Sequence, residues 1–404
     1  MLFIAEAVTL AHVARARVLA GTLDPSRYDV HVAWDPRYNH VLGPLPFPHY
    51  PVHTLPTEQF LKRLTHGFPL HDVTTFRRMV ADDLSTIDRV KPDLVVGDFR
   101  LSLAASARIA RVPHIAIANA YWSPYGRQTF DFPAFHYPLS GLLGRRAAFS
   151  IFRTLRPVGF ALHTRPLNRV LRKHGFPPIG NDIRTMYTCG DYTAYADLPE
   201  LAPTEGLPAT HRYIGAVLWS PPLAPPPWWQ DLPRDKPIVY VTPGSSGERP
   251  LLPIVLEALS KLPVTAIAAA AGRTQHQTWP ANARVAEFLP GEQAAARSRL
   301  VISNGGSPTT YQALAAGVPV LGLASAGNMD QHLNMDGVVR AGAGEILDAT
   351  RARVSDVASA AERLLSVHSY TAAAHRLRDA HLARRAEALF PALVAEALEG
   401  VRRR

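Results

Sequence analysis

Ser303-Asn304-Gly305-Gly306-Ser307-Pro308-Thr309-Thr310-Tyr311-Gln312, running on into Ala313-Leu314-Ala315-Ala316-Gly317-Val318-Pro319, is the stretch on which the fold turns. The apolar run Leu300-Val301-Ile302 before it reads as a buried strand, and residues 310–316 read as a helix. A glycine pair between strand and helix lets backbone approach a ligand closely, and the N–H groups and hydroxyls at the helix start suit a phosphate. A second apolar strand at 318–323 leads to Asp330-Gln331, a polar pair able to hold hydroxyls. Phosphate turn, strand, polar pair: the order points to a nucleotide-sugar site.

Outward from this turn, short apolar strands alternate with helical segments in both halves of the chain. Residues 2–5, 28–34, 93–98 and 114–118 read as strands, with helices at 13–23, 74–90 and 104–110. A second series of strands falls at 238–241, 264–267, 285–288, 300–302 and 318–321, and the chain is mainly helical from 354. Between the two series, residues 219–229 carry five prolines in eleven positions, which suits a stiff linker. The rhythm predicts an α/β protein with two parallel, doubly wound sheets. The expected division is an N-terminal domain at 1–218, a linker at 219–235 and a C-terminal domain at 236–404, the last helices being candidates for packing back on the first domain.

The opening stretch resembles the donor signature of the GT-B glycosyltransferases of the UDP-glycosyltransferase and macrolide-glycosyltransferase type. Gly305-Gly306, Thr309, Ala313-Leu314, Gly317-Val318-Pro319, Asp330-Gln331 and Asn334 stand in matching order. Asn304 replaces the family's His and Gln312 its Glu, changes that keep hydrogen bonding and give up ionisation. The resemblance implies two Rossmann-like domains facing each other across a cleft. Its co-substrate would be a nucleotide-diphosphate sugar, a UDP-sugar first among them, with no separate cofactor. It places diphosphate contacts at Gly244, Ser245 and Ser246 and at Asn304, Gly305, Gly306, Ser307 and Thr309. Gln312 would meet the ribose, and Asp330 and Gln331 the sugar hydroxyls. Phe288 and Leu289 fall where relatives hold the base, with Phe288 either stacking on it or filling core, and Gly291 replaces a glutamine of some relatives.

In the first half, His12 follows the first strand. An imidazole titrates near neutrality, so it can take a proton at physiological pH. In the resembling family a His here deprotonates the acceptor, although Ala11 rather than Gly precedes it and no proline follows. Asp98, at the carboxyl end of a strand, would orient its ring and stabilise the imidazolium. The expected reaction is inverting hexosyl transfer to a hydrophobic or lipid-like acceptor. No Asp-X-Asp motif is present, so no metal is expected. Two other readings stay open: an inactive GT-B partner subunit, and a GT-B sugar-nucleotide epimerase, which would call for extra carboxylates.

The bulk composition narrows the rest. At 404 residues, 47% apolar and 19% charged, the chain is long enough for two cored domains. Its single cysteine, Cys189, allows no internal disulfide and fits a reducing, cytoplasmic compartment. Met1 leads straight into an apolar strand with no basic leader, and no window holds the ~18 apolar residues a membrane span needs. The net charge of +10 accompanies no nucleic-acid motif, so no nucleic-acid partner is expected. Between Phe132 and Asn181 there is no acidic residue, yet eight basic ones are interleaved with apolar ones. Residues 140–173 are therefore expected to supply acceptor-pocket helices or to contact a membrane peripherally.

Overall fold

The computed structural model describes residues 1–243, 251–270 and 278–402. The chain forms two compact units: Met1–Thr129 with Tyr137–Val217 and Arg384–Arg404, and Phe130–His136 with Leu218–Ala383.

The first unit holds seven parallel strands: β1 (Leu2–Ala5), β2 (His31–Ala33), β3 (His49–Tyr50), β4 (Val95–Asp98), β5 (His114–Ala118), β6 (Tyr192–Tyr195) and β7 (His211–Tyr213). They are ordered β3-β2-β1-β4-β5-β6-β7. Leu2, Phe3, Ile4, Val95 and Val96 are all buried, as expected for strands covered by helices on both faces. The order reverses between β1 and β4, whose carboxyl ends pair Ala5 with Asp98. Ligands in open α/β sheets gather at such a switch point. The last helix, Ala386–Arg402, belongs to this unit, where Phe390 is buried against Phe3 with ring centroids 6.0 Å apart.

The second unit repeats the plan with β8 (Ile238–Thr242), β9 (Thr265–Ala269), β10 (Ala283–Ala286), β11 (Leu300–Ser303), β12 (Val320–Ala324) and β13 (Gly344–Asp348), ordered β10-β9-β8-β11-β12-β13. Its switch point lies between β8 and β11, where Thr242 pairs with Ser303. The glycine turn therefore leaves the sheet at its crevice.

Two further stretches group with the second unit. Phe130–His136 groups with the second unit, because Phe132 and Phe135 pack around the His332 ring and His136 N–H donates to the Ala326 carbonyl at 3.0 Å. The proline-rich 219–235 stretch is anchored at two points. Trp229 is buried with the Arg297 guanidinium over its ring, and Ser220 Oγ accepts from Glu292 N–H at 2.9 Å.

Candidate active site

The first unit's switch point carries a polar cluster. Helix Leu10–Gly21 starts after β1 and puts His12 beside the end of β4, where His12 Nδ1 and Asp98 Oδ1 are 2.9 Å apart. Asp98 is fully buried and the His12 side chain 19% exposed, with Nδ1 engaged by the carboxylate. Arg15, one turn further along the helix, donates from Nε to Asp98 Oδ2 at 2.6 Å and from a terminal nitrogen to Oδ1 at 2.7 Å. Burial alone would push the Asp98 carboxyl up, but the Arg15 guanidinium and the His12 ring outweigh it and hold it below the usual carboxylate range. His12 also stacks face to face on Phe99, with centroids 4.6 Å apart and planes 6° off parallel. Phe99 takes φ +56°, a left-handed conformation that costs a side-chain-bearing residue about 1–2 kcal/mol. Its ring continues into a stack with Tyr187 and meets Phe60 edge-on.

In the second unit, Gly305 has φ +79°, and a Cβ there would come within 2.8 Å of Met335 Cγ. Only glycine fits this turn. Asn334 Nδ2 donates to the Gly305 carbonyl at 2.8 Å and to Thr310 Oγ1 at 3.2 Å, so the matching Asn braces the turn from below. Helix Ser307–Ala315 follows with Gly306 as its N-cap and no side-chain cap, leaving Ser307 and Thr309 at an open helix start. Asn304 is nearly buried, and its Oδ1 accepts from Gly306 N–H at 3.2 Å. Its side-chain carbonyl is thus used within the turn.

Gln331 is buried; its Oε1 accepts from Ser325 N–H at 2.8 Å, and its Nε2 has no hydrogen-bond partner. A buried donor left unmade costs roughly 1–3 kcal/mol, an expense a bound hydroxyl would relieve. Asp330 precedes it in the first turn of helix Met329–Arg340. The Gln312 amide nitrogen donates to the Trp219 carbonyl at 2.5 Å and to Ser220 Oγ at 3.2 Å, contacts that leave its side-chain carbonyl unused. A Cβ on Gly291 would lie 2.6 Å from Gln312 Oε1, so the two departures from the family pattern, Gly291 and Gln312, meet in space. Leu289 is buried, whereas Phe288 is exposed and available for stacking rather than core. Gly244, Ser245 and Ser246 lie outside the described residues.

Sequence reasoning named His12 and Asp98 but passed over Arg15 and Phe99. The signal was present, since Arg15 lies three positions after His12 on the same helix face and Phe99 directly follows Asp98. Among the described residues, no group of three His, Cys, Asp or Glu side chains is arranged to hold a metal ion.

Comparison with known proteins agrees with this architecture. Residues 254–400 match the family described as Erythromycin biosynthesis protein CIII-like, C-terminal domain. A PGL/p-HBAD biosynthesis glycosyltransferase of Mycobacterium tuberculosis is 54% identical over 380 residues, covering 94% of this chain and 88% of its own length. A PGL/p-HBAD biosynthesis rhamnosyltransferase of Mycobacterium bovis is 55% identical over 94% of this chain and 84% of its own. Spinosyn rhamnosyltransferase SpnG, solved with thymidine diphosphate, shares the fold at TM-score 0.69 and 20% identity, over 98% of this chain and 99% of its own. The chain belongs to the family of these mycobacterial enzymes and is a glycosyltransferase of the UDP-glycosyltransferase type with a GT-B fold.

Proposed function

We propose that this glycosyltransferase works by inversion and without a metal, moving a hexose or deoxyhexose from a nucleotide diphosphate to the hydroxyl of a hydrophobic or lipid-like acceptor. The observation that carries the reading is the 2.9 Å contact between His12 Nδ1 and buried Asp98, which leaves the other ring nitrogen, Nε2, outside that contact. Nε2 takes the acceptor proton as the acceptor oxygen bonds to the anomeric carbon. The bond from that carbon to the phosphate oxygen breaks, and the electron pair leaves with the nucleoside diphosphate. The open start of helix Ser307–Ala315 favours that negative charge, and Asp330 and Gln331 hold the sugar hydroxyls.

The rhamnosyltransferase relative makes activated rhamnose the first donor to try, beside UDP-sugars, and the PGL/p-HBAD relatives direct the acceptor panel. Contact with a membrane surface through residues 140–173 is part of the same reading. No helix among the described residues is long and apolar enough to cross a membrane. The test is release of nucleoside diphosphate from UDP-, dTDP- and GDP-sugars across acceptors, with and without EDTA. Acceptor-dependent release, insensitive to EDTA and lowered at least about 10²-fold in His12→Ala, supports the proposal. Full activity in His12→Ala sinks the assigned base; no turnover with any donor would favour an inactive subunit.

A further inference from the structure

We propose that Arg15 is a positioning residue: its guanidinium fork holds Asp98 as a fixed acceptor for His12 Nδ1–H, so that His12 Nε2 is left unprotonated to take the acceptor proton. This deepens the reading of His12 as base and rests on it. The argument starts from burial. Asp98 has no access to water, and a carboxyl in that position facing only a neutral imidazole would favour its protonated form. A protonated Asp98 would donate to Nδ1, the ring proton would move to Nε2, and the base would be lost.

Arg15 prevents this by filling both oxygens of Asp98 with charge-assisted bonds at 2.6 and 2.7 Å. The fork is itself held. Another of its nitrogens donates to Asn119 Oδ1 at 3.0 Å, Asn119 Nδ2 donates to Asp197 Oδ1 at 3.3 Å, and buried Asp197 also accepts from Ala120 N–H. Asp197, Asn119, Arg15, Asp98 and His12 thus form one relay, with Asp98 at the end of β4 and Asn119 and Asp197 just beyond β5 and β6. Arg15 and His12 are the charged and titratable groups that act on Asp98, and Asp98, Tyr121 and Asp197 act on Arg15. Phe99 covers the ring face without charge.

The test labels the protein with [15N]histidine and reads the His12 tautomer from two-bond ring correlations, assigned by their loss in His12→Ala. Wild type should show the Nδ1-protonated ring. Arg15→Met should move it toward the Nε2-protonated ring and lower kcat about 10²-fold, with the donor KM within about twofold. Arg15→Lys, which keeps the charge and loses the fork, should recover part of both. An unchanged tautomer in Arg15→Met overturns the proposal, whether activity is kept or is lost together with the urea midpoint. If His12→Ala stays fully active, the base reading fails instead, while the tautomer still judges Arg15.

Discussion

Gly305 shows how one residue can carry both fold and site. Its φ of +79° and the 2.8 Å approach of Met335 Cγ each exclude a side chain. Gly305→Ala should therefore cost roughly 1–3 kcal/mol in urea unfolding, and should raise the donor KM by moving the turn off the helix start. Adding Met335→Ala relieves the contact but not the dihedral, so only part of the loss should return. A single Gly305→Ala protein with wild-type midpoint and KM would show that the turn does not cradle the donor. The Gly-Gly pair was legible in the sequence because such a requirement is local. The Gln312 contact was not, since its partner Trp219 lies 93 residues away.

At the scale of an element, the helix Arg145–Lys173 carries the clearest surface statement. Ile151, Leu155, Val158 and Leu162 are exposed and follow the i, i+4, i+7, i+11 spacing of one helix face. Arg165, Arg169 and Lys173 continue that face as cations, and Leu142, on the preceding helix Ser140–Leu143, is 80% exposed. Apolar side chains that enter lipid beside cations that meet headgroups form an interfacial pattern. The protein should cosediment with vesicles containing anionic phosphatidylglycerol, less so in high salt. Leu155→Glu with Leu162→Glu should abolish that binding while leaving the unfolding free energy in urea within about 0.5 kcal/mol, because both sites are exposed. Equal binding by wild type and double variant would remove the membrane from the proposal. The amphipathic composition was visible in the sequence, but not which residues face out, because the helix carries apolar residues on its buried side too, Leu167, Val170 and Leu171 among them.

For the whole molecule, three buried histidines set an acid limit. Burial lowers His71 to about 3, and His114 and His332 to about 4, from the usual value near 6.5. The unfolded chain takes up these protons as pH falls through about 6.5 while the folded chain refuses them, so stability falls toward acid. The slope is up to about 1.4 kcal/mol per pH unit for each histidine. Glu6, raised by burial despite Arg100, opposes this in part. The urea midpoint should drop clearly between pH 7 and pH 5, and His71→Leu should flatten part of that drop. A midpoint independent of pH across this window would mean these rings are hydrated in the folded state.

The sequence by itself determined the two strand–helix series, the glycine turn, and the placing of Asp98 at a strand end and His12 near the start of the first helix. Each of these is a local matter of periodicity, dihedral preference or spacing. Only tertiary structure decided that Arg15 clasps an aspartate 83 positions away, that Gln312 turns to the 219–220 backbone, and that Phe130–His136 packs with the second unit. Such pairings are chosen when sheet order brings distant strand ends together. With many arginines and aromatics competing for each partner, no local pattern names the one that closes.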